Sequence, residues 1–184
     1  VFDEVQSGMG RTGRMWASEH AGVEPDILVT AKGLASGMPL GVTIASAEFM
    51  SWGPGAHAST FGGNPVSVAA ALATIELLEE GLVENAARLG RRILARLEQW
   101  PARFPVVGNV RGLGLMIGIE FVTDQQSKQK APALRDRVIQ AAFERGLLLL
   151  GCGENTMRLM PPLTVDADQA DFAVDVLEDV IGKL

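Results

Sequence analysis

The chain has 184 residues, 47% of them hydrophobic and 21% charged, the balance of a globular protein able to bury a core. Its formal net charge of −6 offers no basic surface to nucleic acid or to an anionic membrane, and no apolar run approaches the roughly 20 residues of a membrane span. A single cysteine, Cys152, rules out an internal disulfide and a cysteine metal cluster, so with only His20 and His57 besides, no metal site is expected and a reducing, cytoplasmic setting fits.

Residues 1–5 predict a buried strand already under way, with no Met and no signal peptide before it, so the chain is expected to begin inside a larger protein. Residues 7–14 read as a glycine-rich loop and residues 15–21 as a short helix. Residues 27–30, introduced by Pro25-Asp26, and residues 41–46 predict two further strands. Strands without clean alternation, separated by loop or helical segments, predict a parallel sheet buried on both faces. After the loop 53–63, Asn64-Pro65 is an N-cap followed by proline at the first helical position. Residues 66–79 are alanine-rich and apolar on several sides, which predicts a well-buried helix interrupted at Gly81.

A second helix is expected over residues 83–100, closed by Pro101 and Pro105, with Arg88, Arg91 and Arg92 on a solvated face. Two β-rich runs surround Arg111-Gly112-Leu113-Gly114 within residues 106–121. Residues 132–145 predict an amphipathic helix ending at Gly146, and residues 147–150 and 157–160 short strands. Asp166 with Gln169 spells a capping box for a last helix running to about residue 181. Residues 1–82 therefore read as the end of a large α/β domain and residues 83–184 as a smaller α+β domain.

Asp3 ends the first strand and Lys32 lies just past the second. In a parallel sheet the strand ends line up along one edge, where open α/β sheets bind ligands, so both residues can face one ligand. Taken singly, they read equally as a structural aspartate and a solvated lysine. Chemistry that needs the pair is pyridoxal-phosphate (PLP) chemistry. A lysine amine forms an imine with the cofactor's aldehyde, and an ionised carboxylate keeps the pyridine nitrogen protonated so that the ring can accept electrons.

Gly8-Met9-Gly10-Arg11-Thr12-Gly13 spells the dinucleotide fingerprint. It stands away from the strand end, and the next strand closes on Thr30-Ala31-Lys32 with no acid for a ribose, which counts against a nicotinamide oxidoreductase. The loop His57-Ala58-Ser59-Thr60-Phe61-Gly62-Gly63 offers a hydroxyl and free backbone N–H groups to a phosphate, or is an ordinary loop before a well-capped helix. Arg158 lies in an apolar strand, between Met157 and Leu159. It reads as a partner for a substrate carboxylate or as an edge-strand arginine whose head reaches water.

These segments, together with Gly37-Met38-Pro39-Leu40-Gly41 and Arg111-Gly112-Leu113-Gly114-Leu115, occur in an order that resembles the class III (ω-amino acid) aminotransferases, such as those for 4-aminobutyrate, acetylornithine and ornithine. The resemblance covers essentially the whole chain. It implies a PLP-dependent transferase of fold type I, made of the C-terminal portion of the large α/β domain and an α+β small domain. It also implies a homodimer or higher homo-oligomer acting on amino acids and 2-oxo acids such as 2-oxoglutarate, with an amino-acid racemase or epimerase as the alternative within the family. By the same resemblance Lys32 is the Schiff-base lysine, Asp3 partners the pyridine nitrogen and Gln6 lies against the ring hydroxyl. Thr60 binds the cofactor phosphate across the dimer interface, and Arg158 takes the substrate α-carboxylate. The family's upstream phosphate loop and its stacking aromatic ring have no counterpart in these residues, so the chain by itself is expected to be inactive.

Overall fold

The computed structural model describes residues 1–183. The chain divides into two compact units, Val1–Glu84 and Asn85–Leu184.

In the first unit β1 (Phe2–Asp3), β2 (Ile27–Thr30) and β3 (Val42–Ala45) form one sheet in that order. β1 and β2 are parallel, with Phe2 beside Leu28 and Asp3 beside Val29. β3 is antiparallel to β2, so the expected all-parallel sheet is corrected. A parallel return needs a crossover of a dozen or more residues, usually carrying a helix. The link between β2 and β3 holds only the 3-10 turn Lys32–Ala35 and the left-handed pair Ser36 and Gly37, which reverse the chain. The short helix expected at residues 15–21 is likewise a single 3-10 turn, Ala17–His20.

Helix α1 (Pro65–Leu77) starts as its cap signal predicts: Asn64 Oδ1 accepts from the Ser67 N–H at 2.9 Å and Pro65 opens the first turn. The expectation that it is well buried is corrected. Ser67 and Ala71 are buried, but Val66, Leu72 and Leu77 are each more than half exposed. The helix is apolar all round, and this unit supplies cover for one side only. The helical path then widens through Leu78–Leu82, where Gly81 takes φ 145°, a value that glycine alone accommodates readily.

Helix α2 (Val83–Leu97) stops short of the expected residue 100. Pro101 does not close it but lies in the first turn of a separate helix, α3 (Trp100–Arg103), where a missing N–H leaves no helical bond unmade. The second unit is built on four antiparallel strands. They are β4 (Val107–Leu113), β5 (Met116–Phe121), β6 (Leu150–Cys152) and β7 (Thr156–Leu159), ordered β4-β5-β7-β6. Two more helices belong to it, α4 (Pro132–Phe143) and α5 (Ala167–Gly182). β6 begins at Leu150 rather than at residue 147, because the Leu147 N–H still bonds to the Ala142 carbonyl at 3.0 Å and closes the end of α4. The capping box forms as predicted: Asp166 Oδ1 accepts from the Gln169 N–H at 2.8 Å, and Gln169 Oε1 accepts from the Asp166 N–H at 3.1 Å.

Ile117, Ile119 and Phe121 alternate along β5 with half-buried residues, and Met157 and Leu159 do the same on β7. These five join Leu89 and Ile93 of α2, Val138 of α4 and Val174 and Leu177 of α5 in one core. One face of the sheet is thereby covered and the other left open. Arg92 grips Asp171 with two hydrogen bonds, at 3.0 and 2.5 Å, and this contact holds the Asp171 carboxyl below the usual carboxylate range. The pair is exposed, so it directs the packing of α2 on α5 more than it stabilises it. Among the described residues no helix is long and apolar enough to cross a membrane.

Gly90 of α2 is buried where the helix crosses the β4–β5 turn, and a Cβ there would overlap the backbone of Gly114. Gly90→Ala should therefore destabilise this unit by about 1–3 kcal/mol despite alanine's better helix propensity. Urea unfolding monitored by tryptophan fluorescence measures this; a midpoint equal to or above wild type would rule out so close an approach.

Candidate functional site

The parallel pairing of β1 with β2 sends both chains out of the sheet at the same edge. The Glu4 N–H extends the ladder one step by bonding to the Val29 carbonyl at 2.8 Å. Asp3, the last residue of β1, is exposed there, and its Oδ1 accepts from the Val5 N–H at 3.0 Å, a local closure that fixes the side chain at the strand end. Lys32 emerges on the adjacent strand, as the first residue of the 3-10 turn after β2. It is exposed and holds φ 48°, in the left-handed region that a lysine rarely occupies. Such a conformation costs about 1–3 kcal/mol and persists only where neighbours impose it. Leu34 and Ala35 are buried directly behind it, and Ser36 Oγ hydrogen-bonds Thr74 Oγ1 of α1 at 2.9 Å, which ties the turn down.

Gln6 lies half-buried in the loop that follows β1. The loop runs on through the Gly8–Gly13 motif, in which Met9 and Thr12 are buried and the Gly13 N–H bonds to the Gly10 carbonyl at 3.0 Å. It opens into the four-residue 3-10 turn, not into an α-helix, so it offers no helix N-terminus to a dinucleotide diphosphate. Arg11 is half-buried in the same loop, and burial lowers its pKa from the ordinary arginine value. Glu4, which the sequence reading left aside, is 3% exposed; its carboxylate accepts from Ser7 Oγ at 2.5 Å and from the Ser18 N–H at 2.8 Å. The one available signal was a second acid, next to Asp3, within the stretch that predicts a buried strand.

Thr60 is exposed in the loop before α1. Asn64 is already engaged by protein groups there, donating to the Phe61 carbonyl at 2.8 Å and to Ser67 Oγ at 2.9 Å, so the helix cap forms without a phosphate. A cavity of about 540 Å³ opens between the strand ends and this loop. Its wall includes Val5, Thr30, Ala31, Ser59 and Phe61, which are close chain neighbours of Asp3, Lys32 and Thr60. The Thr30 hydroxyl is buried on that wall with no hydrogen-bond partner among the described residues. Buried polar atoms are rarely left so. Asp3, Lys32 and Thr60 are not themselves on this wall; the carboxylate, amine and hydroxyl that they carry beside it are the groups that the ring nitrogen, aldehyde and phosphate of PLP require.

Arg158 belongs to the second unit. β7 is flanked by β5 and β6, so the edge-strand reading of this arginine is corrected: it sits on an inner strand. Its cross-strand partners are Gly118 and Leu150, and Gly118 in turn faces Arg111, giving the row Arg111–Gly118–Arg158–Leu150 on the open face of the sheet. Met157 and Leu159 point the opposite way into the core. Arg158 is half-buried and lines a cavity of about 290 Å³ with Leu147, Leu149, Met160, Pro161 and Gln169. Gly118 has no side chain to crowd the guanidinium from the β5 side. Arg111 Nη1 lies 3.8 Å from Glu120 Oε2 on the same face.

Known proteins share this architecture. An amine transaminase from an uncultivated Pseudomonas species, solved in a PLP-bound form, superposes with a TM-score of 0.90 at 38% identity, over 98% of this chain and 43% of that one. The fold is that of the PLP-dependent transferases of fold type I. Acetylornithine aminotransferase of Thermosynechococcus vestitus is 44% identical over 186 residues, covering 100% of this chain and 44% of that protein. Leucine/methionine racemase of Thermococcus litoralis is 43% identical, with 100% and 42% covered. The family described as Aminotransferase class-III matches residues 1–181, and the chain belongs to it. The chain spans less than half the length of these relatives.

Proposed function

We propose that the protein containing this chain transfers an amino group from an amino acid, one with a terminal amine such as 4-aminobutyrate, ornithine or acetylornithine, to a 2-oxo acid such as 2-oxoglutarate, with PLP as cofactor. The observation that carries this reading is the emergence of Asp3 and Lys32 at one edge of the parallel pair β1–β2, with Lys32 forced into a left-handed conformation. Residues 1–82 are on this reading the end of the cofactor-binding large domain and residues 83–184 the small domain. When bound, PLP supplies an aldehyde that captures the substrate amine and a ring that takes up electrons from Cα.

Lys32 Nζ would hold the cofactor by its aldehyde and would serve as the base that moves the proton at the substrate Cα. Asp3 keeps the proton on the pyridine nitrogen through a charge-assisted hydrogen bond. Gln6 lies against the ring hydroxyl, and Thr60 binds the phosphate from the partner protomer of a homodimer. Arg158 takes the substrate carboxylate with both arms of its guanidinium fork. Racemisation is the second reading, favoured by the 43% identity to a protein named leucine/methionine racemase. The two share the loss of the Cα proton and part at its return, which racemisation makes to the opposite face of Cα; only transfer goes on to consume a 2-oxo acid.

Three substitutions in the complete protein test the roles. Lys32→Ala should abolish borohydride fixation of the cofactor and almost all turnover; cofactor still fixed to that variant would remove Lys32 from its role. Asp3→Asn keeps the shape and loses the charge, and should slow the chemical step by an amount worth about 3–4 kcal/mol. Near-wild-type exchange of the Cα proton for deuterium in Asp3→Asn would show the carboxylate to be a bystander. Arg158→Lys keeps the charge but loses the fork, and should lower kcat/KM for amino donor and 2-oxo acid alike; truncation to alanine should cost about 2–5 kcal/mol. The cofactor's absorbance should survive both changes, and steady-state kinetics with 2-oxoglutarate as acceptor that match wild type would take Arg158 out of the site.

A further inference from the structure

We infer that Glu4 is a positioning residue: its buried carboxylate clamps the turn that carries Asp3 and Gln6, and so sets their presentation to the cofactor. The inference rests on the roles proposed above for those two residues.

Glu4 is joined to three segments of the chain by four hydrogen bonds. Its N–H donates to the Val29 carbonyl of β2 at 2.8 Å, and its carbonyl accepts from the Gly8 N–H at 3.0 Å. Oε2 accepts from Ser7 Oγ at 2.5 Å and Oε1 from the Ser18 N–H, in the 3-10 turn, at 2.8 Å. Gln6 lies inside the loop that the Ser7 and Gly8 bonds close, so they restrain its backbone. Asp3 precedes the clamp, and its own Oδ1 is held by the Val5 N–H within the same turn. Alternation along the chain puts the exposed Asp3 and the buried Glu4 on opposite sides of the strand end. One faces the ligand edge and the other anchors the backbone behind it.

A purely structural plug at this position needs no charge. Burying a carboxylate is costly even with partners, and both side-chain partners of Glu4 are neutral donors. An aliphatic residue would fill the space without that cost but could not bond to Ser7 and Ser18. The position is also tight: a Cβ on Gly8 would lie 2.8 Å from the Glu4 carbonyl oxygen and 2.8 Å from Trp16 Cε3, so the turn closes directly on Glu4.

The test compares Glu4→Ala and Glu4→Gln in the complete protein. Glutamine retains an acceptor for the Ser18 N–H and can donate to Ser7 Oγ, so it should keep the clamp. Glu4→Ala should weaken PLP binding about tenfold, the scale of a lost hydrogen bond to a charged group. It should also speed amide exchange at Gln6, and shift the pH midpoint of the bound cofactor's absorbance, which a general loss of stability would not move. Glu4→Gln should return all three toward wild type. Folded Glu4→Ala that binds PLP as wild type does, with an unshifted midpoint, would overturn the inference alone, whereas wild-type protein that takes up no PLP would overturn the functional reading first. Should Glu4→Ala fail to fold, Ser7→Ala removes one arm of the clamp. A measurable loss of PLP affinity in that variant sustains the inference, and wild-type affinity sinks it.

Discussion

The backbone ladder between β1 and β2 is the constraint on which the first unit turns. Two aligned strands place Asp3 beside Val29 and bring Lys32 out at the same edge, and the step from Glu4 to Val29 carries that alignment into the loop. Once the ladder is set, every neighbouring element serves to hold the chain where it leaves the sheet. The turn after β2 is pinned by the burial of Leu34 and Ala35 and by the bond between Ser36 and α1. The turn after β1 is pinned by Glu4. A slip of one residue between the two strands would turn Asp3 to the opposite face of the sheet.

Local chemistry in the sequence is what made much of this fold legible. Asn64-Pro65 and the pair Asp166 and Gln169 name helix starts because a cap is a property of four adjacent residues, and both form as expected. Strand direction was not legible, because residues 27–30 and 41–46 read alike whichever way the second one runs; the length and turn content of the link decided it. The extent of α1's burial was hidden for a related reason: its composition records that every side is apolar, not which neighbours this unit provides. Asp3, Lys32 and Arg158 could be singled out because a charge beside an apolar strand is conspicuous. Glu4 escaped because its partners, Ser7 and Ser18, are common loop residues, and only the folded turn shows the carboxylate enclosed between them.

In the second unit a single sheet serves two purposes. Its covered face carries the core on α2, α4 and α5, and its open face carries Arg158. Alternation along β7 separates them residue by residue, so the groups that stabilise the unit and the arginine proposed for the substrate carboxylate are adjacent in sequence yet occupy opposite sides. Changes to Met157 or Leu159 act through packing, and changes to Arg158 through charge. Gly118 lies between Arg111 and Arg158 on that open face, and the Thr156 side chain packs over it, 3.1 Å from where a Cβ would stand.

The left-handed backbone of Lys32 has an evolutionary consequence. Glycine and asparagine accept φ 48° far more readily than lysine does, so stability alone favours replacing Lys32. On the role proposed for Lys32, selection for chemistry opposes that pull. In a lineage released from such selection, position 32 is where decay and stabilisation point the same way. On that proposed role, a relative in which the chemistry is no longer needed would be expected to carry glycine or asparagine there and to melt at a higher temperature.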